Sequence, residues 1–457
     1  MVQIGESQKP MLGFCLPEDT DLLLDSTAFL SRAMTFYSTE FGSYPFTDFK
    51  VVFVSNPRLE CFSAATMATV SNDLLSPTSV IDQAMATRQV LSLSLIQQWI
   101  GVNIIQRSLS DTWLVSGLAL YIQSLFLRNL LGNNEYRFRL KNDIDRCVRL
   151  DQGDQWPLCV PGKLDCPDVS FVNLKSPLVI HILDRHLAKA GTSLGLSRVI
   201  PRIFLSALSD ELTGNTLSTQ SFFRSCRKVS GIDLQVFQDQ WVYGSGCPHI
   251  RVQTNFVRKK FVVELSVQQY QPALKANEEM SEASRKAANW KRPTVFFEGS
   301  LTVRIHEADG APFEHVVDLK TPYKLFSLPF NTKYKRTRRS GRIAARFNKM
   351  QDDLAETADN DEEDEARLRA ADRAEVFAYP PWDDEEGRSR WRVAEWSEEQ
   401  AAMMLGEGGG YEWIRVDPEC EWLASFDIPE KPWCWISQLQ GDRDVVAQLE
   451  VSVQYGV

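Results

Sequence analysis

Leu93, Ser94 and Gln97 occupy positions i, i+1 and i+4 of a helical pattern. At that spacing two histidines on one helix face can hold a zinc ion while a glutamate between them works on the metal-bound water. None of the three residues present can do so. Leucine has no lone pair for a metal. Serine is not a general base near neutral pH without an activator of its own. The glutamine amide is neutral and a poor zinc ligand. The five histidines stand at 181, 186, 249, 306 and 315, so no shift of register brings a histidine pair into this segment. His181 and His186 are five residues apart, which separates them around a helix, and they read as packing or surface residues. The nine cysteines include no C-x-x-C pair. Their irregular, odd count reads as reduced intracellular thiols.

The residues around the segment resemble a known frame. Trp99 and Gly101 follow it, and Trp113-Leu114-Val115-Ser116-Gly117-Leu118-Ala119 lies on the next helical pattern. Gluzincin aminopeptidases of the M1 family read H-E-x-x-H-x-W-x-G and then W-L-N-E-G-F-A. The resemblance implies that Leu93 and Gln97 stand where that family has its zinc histidines. Ser94 would replace the general base, and Ser116 the third zinc ligand. Ala65, in Phe62-Ser63-Ala64-Ala65-Thr66-Met67, would replace the glutamate that holds the substrate's amine. Asn173, two residues before Lys175, would replace the transition-state tyrosine. Metal ligands, base, amine anchor and oxyanion donor are then all substituted. The expectation is a degenerate peptidase site with no catalytic residue, no metal and no cofactor.

The elements that must carry these positions are mostly helical up to about residue 248. Helical periodicity runs over 21–41, 81–105, 111–129, 136–150, 178–190 and 219–229. Tyr44-Pro45-Phe46 makes a turn ahead of a β-rich run at 50–54, and Thr219 is placed as the N-cap of the last helix. Beyond 248 the period becomes that of strands, at 250–252, 261–267, 301–305, 315–319 and 413–416. Such short strands suit a small β-sandwich. A final helical pattern opens at 433 and breaks off. The expected fold class is therefore α+β multidomain. A mostly helical thermolysin-like (gluzincin) domain covers 1–248, a β-sandwich 249–435, and the start of a HEAT-like helical-repeat domain 436–457. The chain reads as an internal fragment of a longer protein.

Composition sets further bounds. Apolar residues make up 44% of 457, with 12 Trp and 25 Phe, which suits packed cores rather than disorder. No stretch reaches the ~18 apolar residues of a membrane span, and no basic and apolar leader opens the chain. The net charge is −10, so the chain as a whole has no generally basic character. Its charge is nonetheless blocked. Residues 333–349 hold eight basic and no acidic residues, and 352–365 hold nine acidic and no basic ones. Blocks of this density resist packing, so about 331–390 is expected to be a disordered insertion in the sandwich. Lys333, Lys335, Arg336, Arg338, Arg339 and Arg342 are the candidate nucleic-acid contacts. The bland alternative is a solvated loop partly neutralised by the acidic run beside it. Arg258-Lys259-Lys260 likewise reads as strand-edge charge that deters pairing, or as a phosphate contact.

A second resemblance spans most of 10–455 outside the charged insertion. Its residues are Leu74-Leu75, Ile81-Asp82-Gln83, Thr87-Arg88, Gln97-Gln98-Trp99-Ile100-Gly101 and Asn134-Glu135-Tyr136-Arg137. Trp435-Ile436-Ser437-Gln438-Leu439 and Asp442-Arg443-Asp444-Val445-Val446-Ala447-Gln448-Leu449-Glu450 complete the set. Together they resemble the aminopeptidase-like TBP-associated factors of the transcription factor TFIID. The resemblance implies a non-catalytic scaffold in RNA polymerase II transcription initiation, located in the nucleus. Its partners would be other TFIID subunits, including components of the TATA-box-binding protein complex, and core-promoter DNA, with no membrane. Two other readings stay open: an M1-like zinc aminopeptidase retooled around other residues, and an M1-like scaffold in a different assembly.

Overall fold

The computed structural model describes residues 1–5, 9–77, 79–153, 155–162, 168–189, 194–257, 259–271, 292–307, 312–331 and 411–455. The basic run, with Lys333, Lys335, Arg336, Arg338, Arg339 and Arg342, lies outside the described residues. So do the expected insertion up to 390 and Arg258.

The chain opens on a sheet of five strands, β1 (Val2–Gln3), β2 (Met11–Phe14), β3 (Phe49–Val54), β4 (Cys61–Ala64) and β5 (Met67–Ser71). Their order is β1-β2-β3-β5-β4, with β2, β3 and β5 parallel and β4 antiparallel at the edge. Phe49, Val51 and Phe53 alternate into the core from β3, as a half-buried strand requires. Between β2 and β3 run α1 (Thr20–Thr27) and α2 (Leu30–Phe41). The single helix expected over 21–41 is thus two, because the chain turns at Ala28 and Phe29, and Phe29 stacks on Phe126.

The helical layer follows. It comprises α3 (Ile81–Ile96), α4 (Thr112–Leu131), α5 (Asn133–Leu150), α6 (Val169–Lys189), α7 (Val199–Leu208), α8 (Thr219–Ser230) and the short α9 (Gln235–Phe237). A two-stranded pair, β6 (Ile105–Gln106) with β7 (Thr216–Leu217), pins the α3–α4 connection to the start of α8. α3 stops at Ile96, well short of the expected 105. Gly101 reverses the chain with φ +125°, a conformation that suits glycine, and Val102 N–H donates to Gln97 O. α6 begins nine residues earlier than its apolar pattern suggested and carries Pro177 inside it. The N-cap of α8 is Ser218 rather than Thr219. Ser218 Oγ accepts from Ser221 N–H while Ser221 Oγ accepts from Ser218 N–H. Thr219 instead donates its hydroxyl to buried Asp111 at 2.8 Å. α4 forms the centre, burying Trp113, Leu114, Leu118, Ile122 and Phe126. The sequence suggested no segment apolar enough to span a membrane, but Leu109–Leu131 meets that test by length and composition, and 50% of its apolar window is buried in this fold.

The second half is two facing sheets. One has the order β11-β10-β13, from β10 (Gly299–Glu307), β11 (Pro312–Leu319) and β13 (Tyr411–Val416). The other has the order β12-β9-β8-β14, from β8 (His249–Val257), β9 (Val262–Tyr270), β12 (Tyr323–Pro329) and β14 (Ser425–Asp427). Val252, Val263 and Leu265 of one sheet and Leu301, Val303 and Ile305 of the other are buried in the shared core.

Two helices end the chain, α10 (Pro432–Gly441) and α11 (Val445–Tyr455). Asp442, Arg443 and Asp444 connect them, so the helical pattern that opens near 433 is two helices. Asp444 accepts from Arg137 of α5 and from fully buried Arg415 of β13, each at 2.7 Å. Partial burial works against its charge, but the two guanidiniums outweigh it and pull the carboxyl down to about 2. One carboxylate thus joins the helical layer, the sandwich and the last helix pair.

Candidate functional site

Leu93 and Gln97 lie one turn apart on α3 and its C-cap, and both are half-buried. Ser94 is fully buried, and its hydroxyl donates back to Leu91 O at 2.8 Å. α3 is held by Trp99, whose indole N–H donates to Gly42 O at 3.0 Å and whose ring meets Tyr44 edge-on at 5.1 Å between centroids. α4 is held by Trp113, whose N–H donates to Thr219 Oγ1 at 3.1 Å. Each tryptophan of the motif therefore fixes one helix of the site to an element distant in sequence.

Two of the positions singled out in the sequence, Ser116 and Asn173, meet each other, and Gln97 meets a neighbour on the first sheet. Ser63 of the edge strand β4 donates its hydroxyl to Gln97 Oε1 at 2.7 Å. Next to it the amide of Gln98 spans the β4–β5 turn, accepting from Thr66 N–H at 2.9 Å and donating to Ala64 O at 3.0 Å. Ala65 sits exposed in that turn. Thr66 holds φ +64° there, a strained value for a β-branched residue. Ser116 of α4 and Asn173 of α6 are joined directly, Oγ to Oδ1, at 2.5 Å. Neutral hydrogen bonds thus link residues on four elements where a metal site would need converging imidazoles and a carboxylate. Among the described residues no group of three or more His, Cys, Asp or Glu is placed to hold a metal.

A cavity of about 420 Å³ remains beside these positions. It is lined by Leu93, Leu120, Leu127, Asn173 and Leu174, with Glu135, Arg139 and Asp143 of α5 at its polar side. His181 reaches it from α6. Burial, with help from Arg185, pulls the His181 imidazole down to about 4, so it is neutral near pH 7. Tyr136 OH and His181 Nδ1 lie 3.2 Å apart. His186 stacks on Phe237 and takes no part in the site.

The pair that the sequence did not disclose is Lys175 with Asp151. Lys175 Nζ lies 2.5 Å from Asp151 Oδ2 with both side chains out of contact with solvent. Burial alone would lower the Lys175 ammonium, but Asp151 outweighs it and holds it above its ordinary value. The two residues come from different elements, so no spacing rule could pair them.

The fold is similar to that of a solved aminopeptidase. It superposes on aminopeptidase A of Legionella pneumophila with a TM-score of 0.64 over 98% of this chain and 40% of that one, at 11% identity. A family model described as the TAF2 Ig-like domain matches residues 245–431. TFIID subunit 2 of Schizosaccharomyces pombe is 38% identical, covering 98% of this chain and 38% of that protein. The subunits from Saccharomyces cerevisiae and Gallus gallus are 34% and 25% identical over 99% and 96% of this chain. The chain is thus similar to TFIID subunit 2 along nearly its whole length, and the resemblance drawn from its sequence is borne out. It spans between 33% and 38% of the length of these three relatives.

Proposed function

We propose that this chain is a non-catalytic part of a TFIID subunit that acts as a scaffold in RNA polymerase II transcription initiation in the nucleus. The observation that carries this reading is the pairing of similarity to about a third of TFIID subunit 2, over 98% to 99% of this chain, with the chemistry of the substituted site. Leu93, Ser94, Gln97 and Ser116 supply no metal ligand and no base, and Gln97 and Ser116 are engaged by Ser63 and Asn173. The proposed layout is a degenerate gluzincin domain over 1–248, a β-sandwich over 249–435 and the opening of a helical-repeat domain from 436. Other TFIID subunits, including those around the TATA-box-binding protein, are the proposed partners, together with core-promoter DNA. Lys333, Arg336, Arg338 and Arg339 are proposed for the DNA contact, and their charge reversal should reduce the salt slope of promoter binding.

Metal analysis of the purified chain, paired with an aminopeptidase assay, tests the non-catalytic reading. The expected result is substoichiometric zinc and no turnover. Stoichiometric zinc with chelator-sensitive turnover would overturn it. Co-purification with the TATA-box-binding protein tests the assembly, and its absence from nuclear extracts that contain intact TFIID would count against it.

A further inference from the structure

Two helices in contact carry exposed basic side chains that no function above uses. Arg198 and Arg202 on α7, with Arg224, Arg227 and Lys228 on α8, are all exposed. No described carboxylate lies within ion-pair distance of any of the five. Residues 194–232 hold these five cations and two acids, Asp210 and Glu211, a local +3 in a chain of −10. The two acids sit in the α7–α8 connection. The helices pack on each other, and each buries its opposite face in the same core, through Ile203 and Phe204 on α7 and Phe222 and Phe223 on α8. The two helices are thus in contact, and all five cations are at solvent-exposed positions on them.

Helix stability does not account for the charges. Arg227 and Lys228 end α8, where cations suit the helix dipole. Arg198 and Arg202, however, stand at the N-terminus of α7, where the dipole disfavours them. The same face of α7 exposes leucine. Leu205 is 64% exposed, one turn beyond Arg202, and Leu208 follows it. A polyanion with no apolar groups, such as a DNA backbone, would leave these leucines in water. A ligand carrying carboxylates and apolar side chains together would cover both.

We propose that the α7–α8 face is a docking surface for an acidic polypeptide segment with interspersed apolar side chains. Its carboxylates meet the five cations, and its leucine or phenylalanine side chains cover Leu205 and Leu208. This assignment stands apart from the TFIID reading and does not depend on it.

Fluorescence anisotropy with the full chain and three labelled probes tests it. The probes are a peptide alternating Asp or Glu with Leu and Phe, a peptide of equal charge with Ser in the apolar places, and a short DNA duplex. The acidic-apolar peptide should bind most tightly. Arg202→Glu with Arg227→Glu should weaken it by about tenfold and flatten its salt dependence. Leu205→Ser should weaken that peptide and leave the other two probes unchanged. Where the charge reversal disturbs folding by circular dichroism, Arg202→Gln with Arg227→Gln serves instead. Tighter binding of the duplex, equal binding of the serine peptide, or binding unmoved by these variants would overturn the proposal.

Discussion

At the scale of single residues, the structure turns on buried charges. Lys175 and Asp151 are held together without water, and Asp151 also accepts from Gly246 N–H at 3.1 Å. Removing one partner of such a pair strands the other, which costs about 3–5 kcal/mol, more than the pair itself contributes. Lys175→Met should therefore lower the thermal midpoint sharply, and adding Asp151→Leu should restore much of it. A single variant that melts like the parent would show that water reaches the site. Asp417 has the opposite problem, with both carboxyl oxygens accepting from the backbone N–H groups of Glu421 and Trp422. Burial pushes its carboxyl up to about 8, against those hydrogen bonds and with help from Glu421. The folded chain then binds this proton more tightly than the unfolded one, whose carboxyl titrates near ~4. The contribution is fully present below that value and is lost as pH rises toward about 8. Asp417→Asn keeps one acceptor and loses the titration. Its stability deficit should be largest near pH 5 and shrink toward pH 8, read from unfolding curves across that range. A deficit constant with pH would show that Asp417 is ionised throughout.

At the scale of elements, the site depends on how closely α4 and α6 approach. A Cβ on Gly117 would lie 2.7 Å from Ser176 Cβ and 2.9 Å from Ile180 Cδ1. Alanine in a helix gains roughly 1 kcal/mol over glycine. Overpacking of a tight core costs typically about 1–3 kcal/mol, and here two side chains obstruct, so the clash wins. Gly117→Ala should destabilise the chain, and Gly117→Ala with Ser176→Gly should recover most of the loss. An increase in melting temperature for the single variant would refute the tight packing. The reason for Gly117 was not legible in the sequence, although the residue itself was. The same holds for Gly101, whose φ ends α3 where periodicity ran on to 105. The helical spacing of Leu93 and Gln97 was legible because spacing along one helix is a local property, and Ser116 falls on the next helix. Their partners Ser63 and Asn173 are 34 and 57 residues away, and a pairing across elements leaves no periodic trace.

At the scale of the whole molecule, the helical layer, the sandwich and the last two helices meet around the segment after β13. The change of period near 249 was legible, because strand and helix patterns differ locally. The joint was not, since Arg137 and Asp444 are 307 residues apart. Glu419 gathers Arg137 at 3.3 Å and Arg304 at 3.4 Å, and Glu421 takes Lys189 from α6 together with Thr302. Trp422 is the apolar counterpart of these pairs. It is buried, donates its indole N–H to Ser300 O at 2.9 Å, and meets Trp241, which itself lies 4.4 Å from Phe297 between ring centroids. Trp241 closes the helical layer and Phe297 enters the sandwich, so this aromatic group couples the two. Truncating a buried tryptophan costs about 3–5 kcal/mol. The ion pairs beside it range from nearly buried at Glu421 to about a third exposed at Glu419, and the cost of taking their charges out of water offsets much of their attraction. The aromatic contact should therefore dominate the coupling. Calorimetry should show one transition for the parent chain and two for Trp422→Ala, with the sandwich melting apart from the helical layer. Raising the salt concentration should shift the parent's midpoint only slightly and leave its single transition intact. Two transitions in the parent, merging at low salt, would instead assign the coupling to the charges.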